Sequence, residues 1–91
     1  MINQNKCPHQ NKGYMLEELD GELLLYHLDR TTTVYLNNSA ALVWHLCDGT
    51  NSIAEIIAFL QEKFPKAADE IADDVNDALV ELHGAGALSL G

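Results

Sequence analysis

The sequence predicts a small α+β domain in which a three-stranded antiparallel meander is followed by three α-helices. Two changes of pattern carry that prediction: an apolar period near two from Tyr14 to Leu36, and a period near 3.6 from there to His83. Size is the third observation, because 91 residues leave room for one core when domains typically run ~100–150 residues. With 47% apolar and 21% charged residues the composition is globular.

Residues 1–13 are polar, contain Pro8 and show no periodicity, which predicts a flexible N-terminal tail ahead of a single domain over 14–91. Tyr14 to Leu19 reads as a weak first strand. Asp20-Gly21 follows, a dipeptide suited to the positive φ angles of a two-residue hairpin turn. Glu22 to Leu28 is apolar on both faces in its middle, as a central strand covered by helices should be. Asp29-Arg30 turns the chain, and Thr31 to Leu36 is rich in β-branched residues, the third strand.

Asn37 or Asn38 can cap a helix from about Ser39 to Cys47, with Ala40, Val43, Trp44 and Cys47 on one face. Asp48-Gly49 ends it. Ser52-Ile53-Ala54-Glu55 is a capping box, and Ile53, Ile56, Ile57, Leu60 and Phe64 form the stripe of a second helix that Pro65 stops. A third helix from about Ala68 to His83 buries Ile71, Val75, Leu79 and Leu82.

Charge excludes several function classes. Five Lys and Arg against fourteen Asp and Glu give a net charge of −9. Binding to phosphate backbones or to anionic membrane surfaces draws on many cations, and this chain has few. There is no apolar run of ~20 residues and no signal-peptide pattern at the start. Two cysteines forty residues apart make no disulfide framework, so a cytoplasmic protein with reduced thiols is expected.

The candidates for metal or nucleophilic chemistry are Cys7-Pro8-His9 and His45-Leu46-Cys47. Four such ligands would fill a zinc shell, but structural zinc pairs usually have two to four intervening residues, and these have one. Cys47 falls on the buried stripe beside Trp44, where a free cysteine packs as a small hydrophobe; Cys7 and His9 fall in the tail. No Gly-rich phosphate loop, nucleophile elbow or HExxH helix is present. On the third helix Glu70, Asp74, Asp77 and Glu81 repeat opposite the stripe, which reads as a solvated face able to steer a basic partner. Neither an enzyme nor a cofactor is expected.

What remains is a surface. Thr31 to Leu36 is an outer strand without Pro or Lys, the residues that commonly protect an edge, and such a strand can accept another chain by β-augmentation. A helix over that edge, or a second copy of the chain paired on it as a homodimer, are the other uses it allows.

From Asp20 to Leu88 the chain resembles the pyrroloquinoline quinone synthesis protein D (PqqD) family. The residues that carry the match are Asp20-Gly21-Glu22-Leu23-Leu24-Leu25-Tyr26, Leu36 to Trp44, Leu46-Cys47-Asp48-Gly49, Ser52 to Ile56, Phe64-Pro65 and Asp74-Val75. The resemblance implies a winged-helix-like fold, the RiPP recognition element, and a non-catalytic role. Such a protein binds the leader of a ribosomally made precursor peptide and presents it to a modifying enzyme, a radical S-adenosylmethionine enzyme in pyrroloquinoline quinone (PQQ) biosynthesis. It implies that the leader adds to the third strand and lies between that strand and the third helix. On this sequence the ladder is Thr32, Thr33, Val34, Tyr35 and Leu36, and the other wall is Asn76, Val80 and His83. The alternative that the same topology allows is a winged-helix DNA-binding or regulatory protein, although Lys63 and Lys66 are the only Lys or Arg residues near its second and third helices.

Overall fold

The structure, a computed structural model, describes residues 3–31 and 33–90. Thr32, one of the expected ladder residues, lies outside them. In chain order the elements are β1 (His9–Gln10), β2 (Tyr14–Leu19), β3 (Glu22–His27), β4 (Thr33–Leu36), α1 (Asn38–Leu46), α2 (Ile53–Lys63), a 3-10 turn (Pro65–Ala67), α3 (Ala68–Gly84) and β5 (Leu88–Ser89).

Strands β2, β3 and β4 pair antiparallel in that order, the expected meander. Its first turn is set by Asp20 at φ 52 and Gly21 at φ 81, the two positive angles that match a two-residue hairpin to the right-handed strand twist. At the other end of β2, Gly13 has φ +91, and a Cβ built on it would lie 2.5 Å from His27 Nε2. Only glycine fits there without displacing the imidazole.

One face of the sheet and one face of each helix enclose the core. Leu25, at 0% exposure, meets Leu36, Val43, Trp44, Leu79 and Leu82 in a single cluster that α2 closes with Ile53, Ile56 and Leu60. Each such large apolar side chain contributes about 1.5–3 kcal/mol through burial. Tyr14 ties sheet to helices: its ring packs edge-on to Trp44 at 6.3 Å and its hydroxyl donates to the Ala85 carbonyl at 2.9 Å.

The helix starts are where the polar pattern places them. The Asn37 side chain accepts from Ala40 N–H at 2.8 Å and opens α1. At α2, Ser52 Oγ accepts from Glu55 N–H at 3.1 Å and the Glu55 carboxylate accepts from Ser52 N–H at 2.8 Å, a complete capping box. Those contacts with Ser52 hold the Glu55 carboxyl below its ordinary value.

The polar segment before Tyr14 is not the unstructured tail that its lack of periodicity suggests. Strand β1 pairs with β5, with His9 opposite Ser89 and Gln10 opposite Leu88. The Gln10 side chain donates to the Trp44 carbonyl at 2.8 Å, and the Asn11 side chain donates to the Gly86 carbonyl at 2.8 Å. Pro8 is fully buried. The carbonyls of Lys6 and Gln4 accept from Ile53 N–H and Ala54 N–H at 2.9 and 3.0 Å, satisfying donors that the first turn of a helix cannot pair internally. These are backbone and amide bonds to distant residues, and hydropathy periodicity carries no trace of them.

Candidate functional site

Register decides which backbone groups the sheet leaves open. Leu28 N–H donates to the Gly13 carbonyl at 2.8 Å, so these two form a hydrogen-bonded pair, and such pairs alternate along an antiparallel ladder. With Tyr14 opposite His27 and Leu19 opposite Glu22, the backbone groups of Leu23 and Leu25 turn away from β2 toward β4. There they meet Leu36 and Val34. Val34 and Leu36 thus direct their N–H and C=O groups inward to β3, while those of Thr33 and Tyr35 point to the free side. Among the described residues no strand pairs with that side. The open rim is the backbone of Thr33 and Tyr35.

Side chains alternate in step. Leu36 is buried and Val34 half-buried on the core face, whereas Thr33 and Tyr35 stand on the outer face. Tyr35 is 66% exposed and lies opposite Leu24, and Tyr26 lies opposite Thr33 and Met15. The Tyr26 hydroxyl donates to the Glu17 carboxylate at 3.0 Å. That bond, together with partial burial and the neighbouring negative charge, raises its pKa. The outer face is therefore half apolar, and it adjoins the open rim.

Where β4 ends, a broad recess of about 810 Å³ is lined by Glu22, Leu23, Tyr35, Leu36, Asn37 and Asn38. A second recess, of about 170 Å³, begins at Asn37 and runs between the start of α1 and α3, with Ser39, Asp74, Asp77, Ala78 and Glu81 on its walls. Three carboxylates line it, and α1 and α3 contain no Lys or Arg to neutralise them.

Of the expected site residues, the structure brings Thr33 and Tyr35 to the open rim and places Val34 and Leu36 as their support. Asn76, Val80 and His83 lie round the helix from Asp74, Asp77 and Glu81, on the far side of the buried stripe of Ile71, Val75, Ala78, Leu79 and Leu82. The flank that borders the recess beside α1 is the acidic one. Its spacing was legible in the sequence, but periodicity gives a helix's buried stripe, not which flank borders the sheet edge.

The backbones around Cys7-Pro8-His9 and Cys47 run side by side, with His9 bridged to Asp48, Gln10 N–H donating to the Cys47 carbonyl at 3.0 Å and Gly49 N–H donating to the Pro8 carbonyl at 3.1 Å. Cys47 is fully buried, and burial with the adjacent Asp48 carboxylate pushes its thiol up to about 12. Asp48 itself is turned outward and held below its ordinary value by the Thr50 hydroxyl and amide. His9 and His45 are exposed. Among the described residues no group of three or more His, Cys, Asp or Glu side chains is placed to hold a metal ion.

Over residues 22–88 the sequence matches the family model described as Coenzyme PQQ synthesis protein D (PqqD). The chain belongs to the PqqD family. The PqqD match takes in β3, β4 and all three helices, so the open rim, the acidic recess and all of the broad recess but Gly21 lie within it. Named relatives extend the PqqD likeness over most of the chain. A "PqqA binding protein" of Azotobacter vinelandii is 43% identical over 87 residues, covering 87% of this chain and 94% of that protein. One of Pseudomonas entomophila is 44% identical over 77 residues, covering 81% and 80%, and a "PqqA binding protein" of Rahnella aquatilis is 33% identical over 85 residues, covering 90% and 85%. No solved structure matches the chain.

Proposed function

We propose that this protein is a non-catalytic peptide-binding partner in the biosynthesis of PQQ or a related ribosomally made product. The leader of a precursor peptide adds as a fourth strand to β4, and the protein presents it to a peptide-modifying enzyme of the radical S-adenosylmethionine class. The observation that carries this reading is the open rim: two residues, Thr33 and Tyr35, whose backbone groups face away from β3 at the edge of the sheet. Ladder bonds of this kind supply affinity without regard to sequence, and pockets for alternate side chains supply selectivity. The names of the relatives support the choice of a peptide as guest.

The proposed ladder runs over Thr32 to Leu36, with α3 as the second wall. The sequence reading put Asn76, Val80 and His83 on that wall; the recess favours Asp74, Asp77 and Glu81. Among the described residues no helix is long and apolar enough to cross a membrane, and action in the cytoplasm is part of the proposal. A DNA-binding role has no support: α3, the helix that would enter a groove, carries Asp and Glu and no Lys or Arg.

The test is a backbone-amide titration of the protein with a synthetic PqqA peptide. Shifts are expected at Thr33, Tyr35 and Asn37 and along the Asp74–Glu81 flank. Shifts at Asn76, Val80 and His83 instead would move the second wall to the other flank, and shifts confined to α2 would refute the edge as the site.

A further inference from the structure

The two recesses do not stop at the sheet. Ser39 and Asp74, which line the acidic recess, also line a smaller pocket whose floor is Val43 and Val75 and whose rim includes the exposed Leu42 and Phe64. Asn37 is likewise shared between the acidic recess and the broad one beside Tyr35. Shared lining residues make the three concavities one track, from the β4 rim across the start of α1 into the seam of α1, α2 and α3. At about 40 Å³ the last pocket has room for the tip of one aliphatic or aromatic side chain, since a single water needs roughly 10–15 Å³ by the same kind of measure.

Resting on the peptide-binding reading, we propose that the guest continues past the sheet along this track, and that its selectivity is bipartite: a Lys or Arg in the recess of Asp74, Asp77 and Glu81, then an apolar side chain seated between Leu42 and Phe64. Charge complementarity selects the first element. The Ala40 N–H at the start of α1 is capped by the Asn37 side chain, and the three carboxylates lining the recess outweigh the roughly half-unit positive charge of a helix start, so the carboxylates set its sign. The spacing follows from geometry. Asn37 and Leu42 are five helical steps apart, about 7.5 Å at ~1.5 Å per step, which two or three extended residues cover at ~3.3 Å each. A second copy of this chain is the wrong guest for the same reason: a two-fold pairing on β4 would set two acidic flanks near each other, on chains of net charge −9 each.

The experiment selects binders of the intact protein from a displayed library of random peptides, each about a dozen residues long, enough to span β4 and the first turns of α1 at ~3.3 Å per residue. The selected peptides should carry Lys or Arg two or three residues from Leu, Ile, Met or Phe. The double variant Asp77→Asn with Glu81→Gln, at two exposed positions, should lose the preference for a cation and keep the apolar one; Leu42→Ser should do the reverse. For one selected peptide the double variant should weaken binding on the order of five- to tenfold at low salt, a difference that fades near ~1 M salt as the screening length falls to about 3 Å. Selected peptides that shift the amides of Thr33 and Tyr35 but show neither preference overturn this inference and leave the strand site standing. Peptides that never touch that rim, or a library that yields no binder, overturn both. Self-association in sedimentation, with line broadening at Asp77 and Glu81, assigns the track to a second copy and overturns the inference as well.

Discussion

Replacing Tyr35 with proline separates the guest edge from the fold. The Tyr35 N–H faces away from β3, and its side chain is two-thirds exposed, so Tyr35→Pro removes a donor that the folded monomer does not use. Proline is tolerated at such an edge position. A guest strand, by contrast, loses one ladder bond, a net effect of ~0.5–1.5 kcal/mol or about two- to thirteenfold in affinity, and meets the pyrrolidine ring where its own carbonyl should approach. At least fivefold weaker binding of a synthetic PqqA peptide is expected by titration calorimetry, with an unchanged melting temperature. Two comparisons sharpen the result. Tyr35→Ala keeps the backbone donor and should lose only the side-chain contact. Val34→Pro removes a bond to the buried Leu25 and leaves its carbonyl short of a partner, so it should cost about 1–3 kcal/mol of stability, a large share of the ~5–15 kcal/mol that holds a domain together. A folded Tyr35→Pro variant that binds as tightly as the parent refutes pairing at this rim.

Gly13→Ala should destabilise by roughly 1–3 kcal/mol, because the backbone sits at φ +91 and the new methyl would press on His27; thermal unfolding reads this as a drop of about 4–8 °C per kcal/mol. Glu55, with its carboxyl held below the ordinary 4.5 by Ser52, stabilises the fold above that pH and ceases to do so as pH falls through its folded value. Glu55→Gln should therefore flatten the acid limb of stability against pH, and an unchanged limb would show that the cap carries no weight. Cys47, buried and with its thiol raised to about 12, should resist alkylation in the native protein at mildly alkaline pH while the half-buried Cys7 reacts. Mass spectrometry showing equal modification of the two would contradict that burial.

Features written in local chemistry were legible in the sequence. The Asp20-Gly21 hairpin, the Ser52–Glu55 box and the stripe of α3 each depend on neighbours a few residues away, and all three stand where the pattern put them. The strand that offers its rim could also be named, since it is the last of the meander and lacks protecting residues. Which of its residues face outward could not: that follows from the register of β4 on β3, with Leu23 opposite Leu36 and Leu25 opposite Val34, which the connection between the two strands sets. The acidic wall was visible as a solvated face, yet only the packing of α3 against α1 shows that Asp74 and Glu81 border a recess beside Ser39 while Asn76 and His83 do not. Least legible was the segment before Tyr14. Its bonds join Gln10 to Trp44 and Asn11 to Gly86 through amides and carbonyls, and long-range polar pairing has no period to read.

The pairing of β1 with β5 also has a consequence in time. Translation releases His9 and Gln10 before α1, α2 and α3, and Leu88 and Ser89 after them, so β1 has no strand to join until all three helices have emerged. The buried Pro8 and the Lys6 and Gln4 carbonyls that accept from Ile53 N–H and Ala54 N–H belong to the same segment. Removing Leu88 and Ser89 would accordingly loosen the segment around His9 and Gln10.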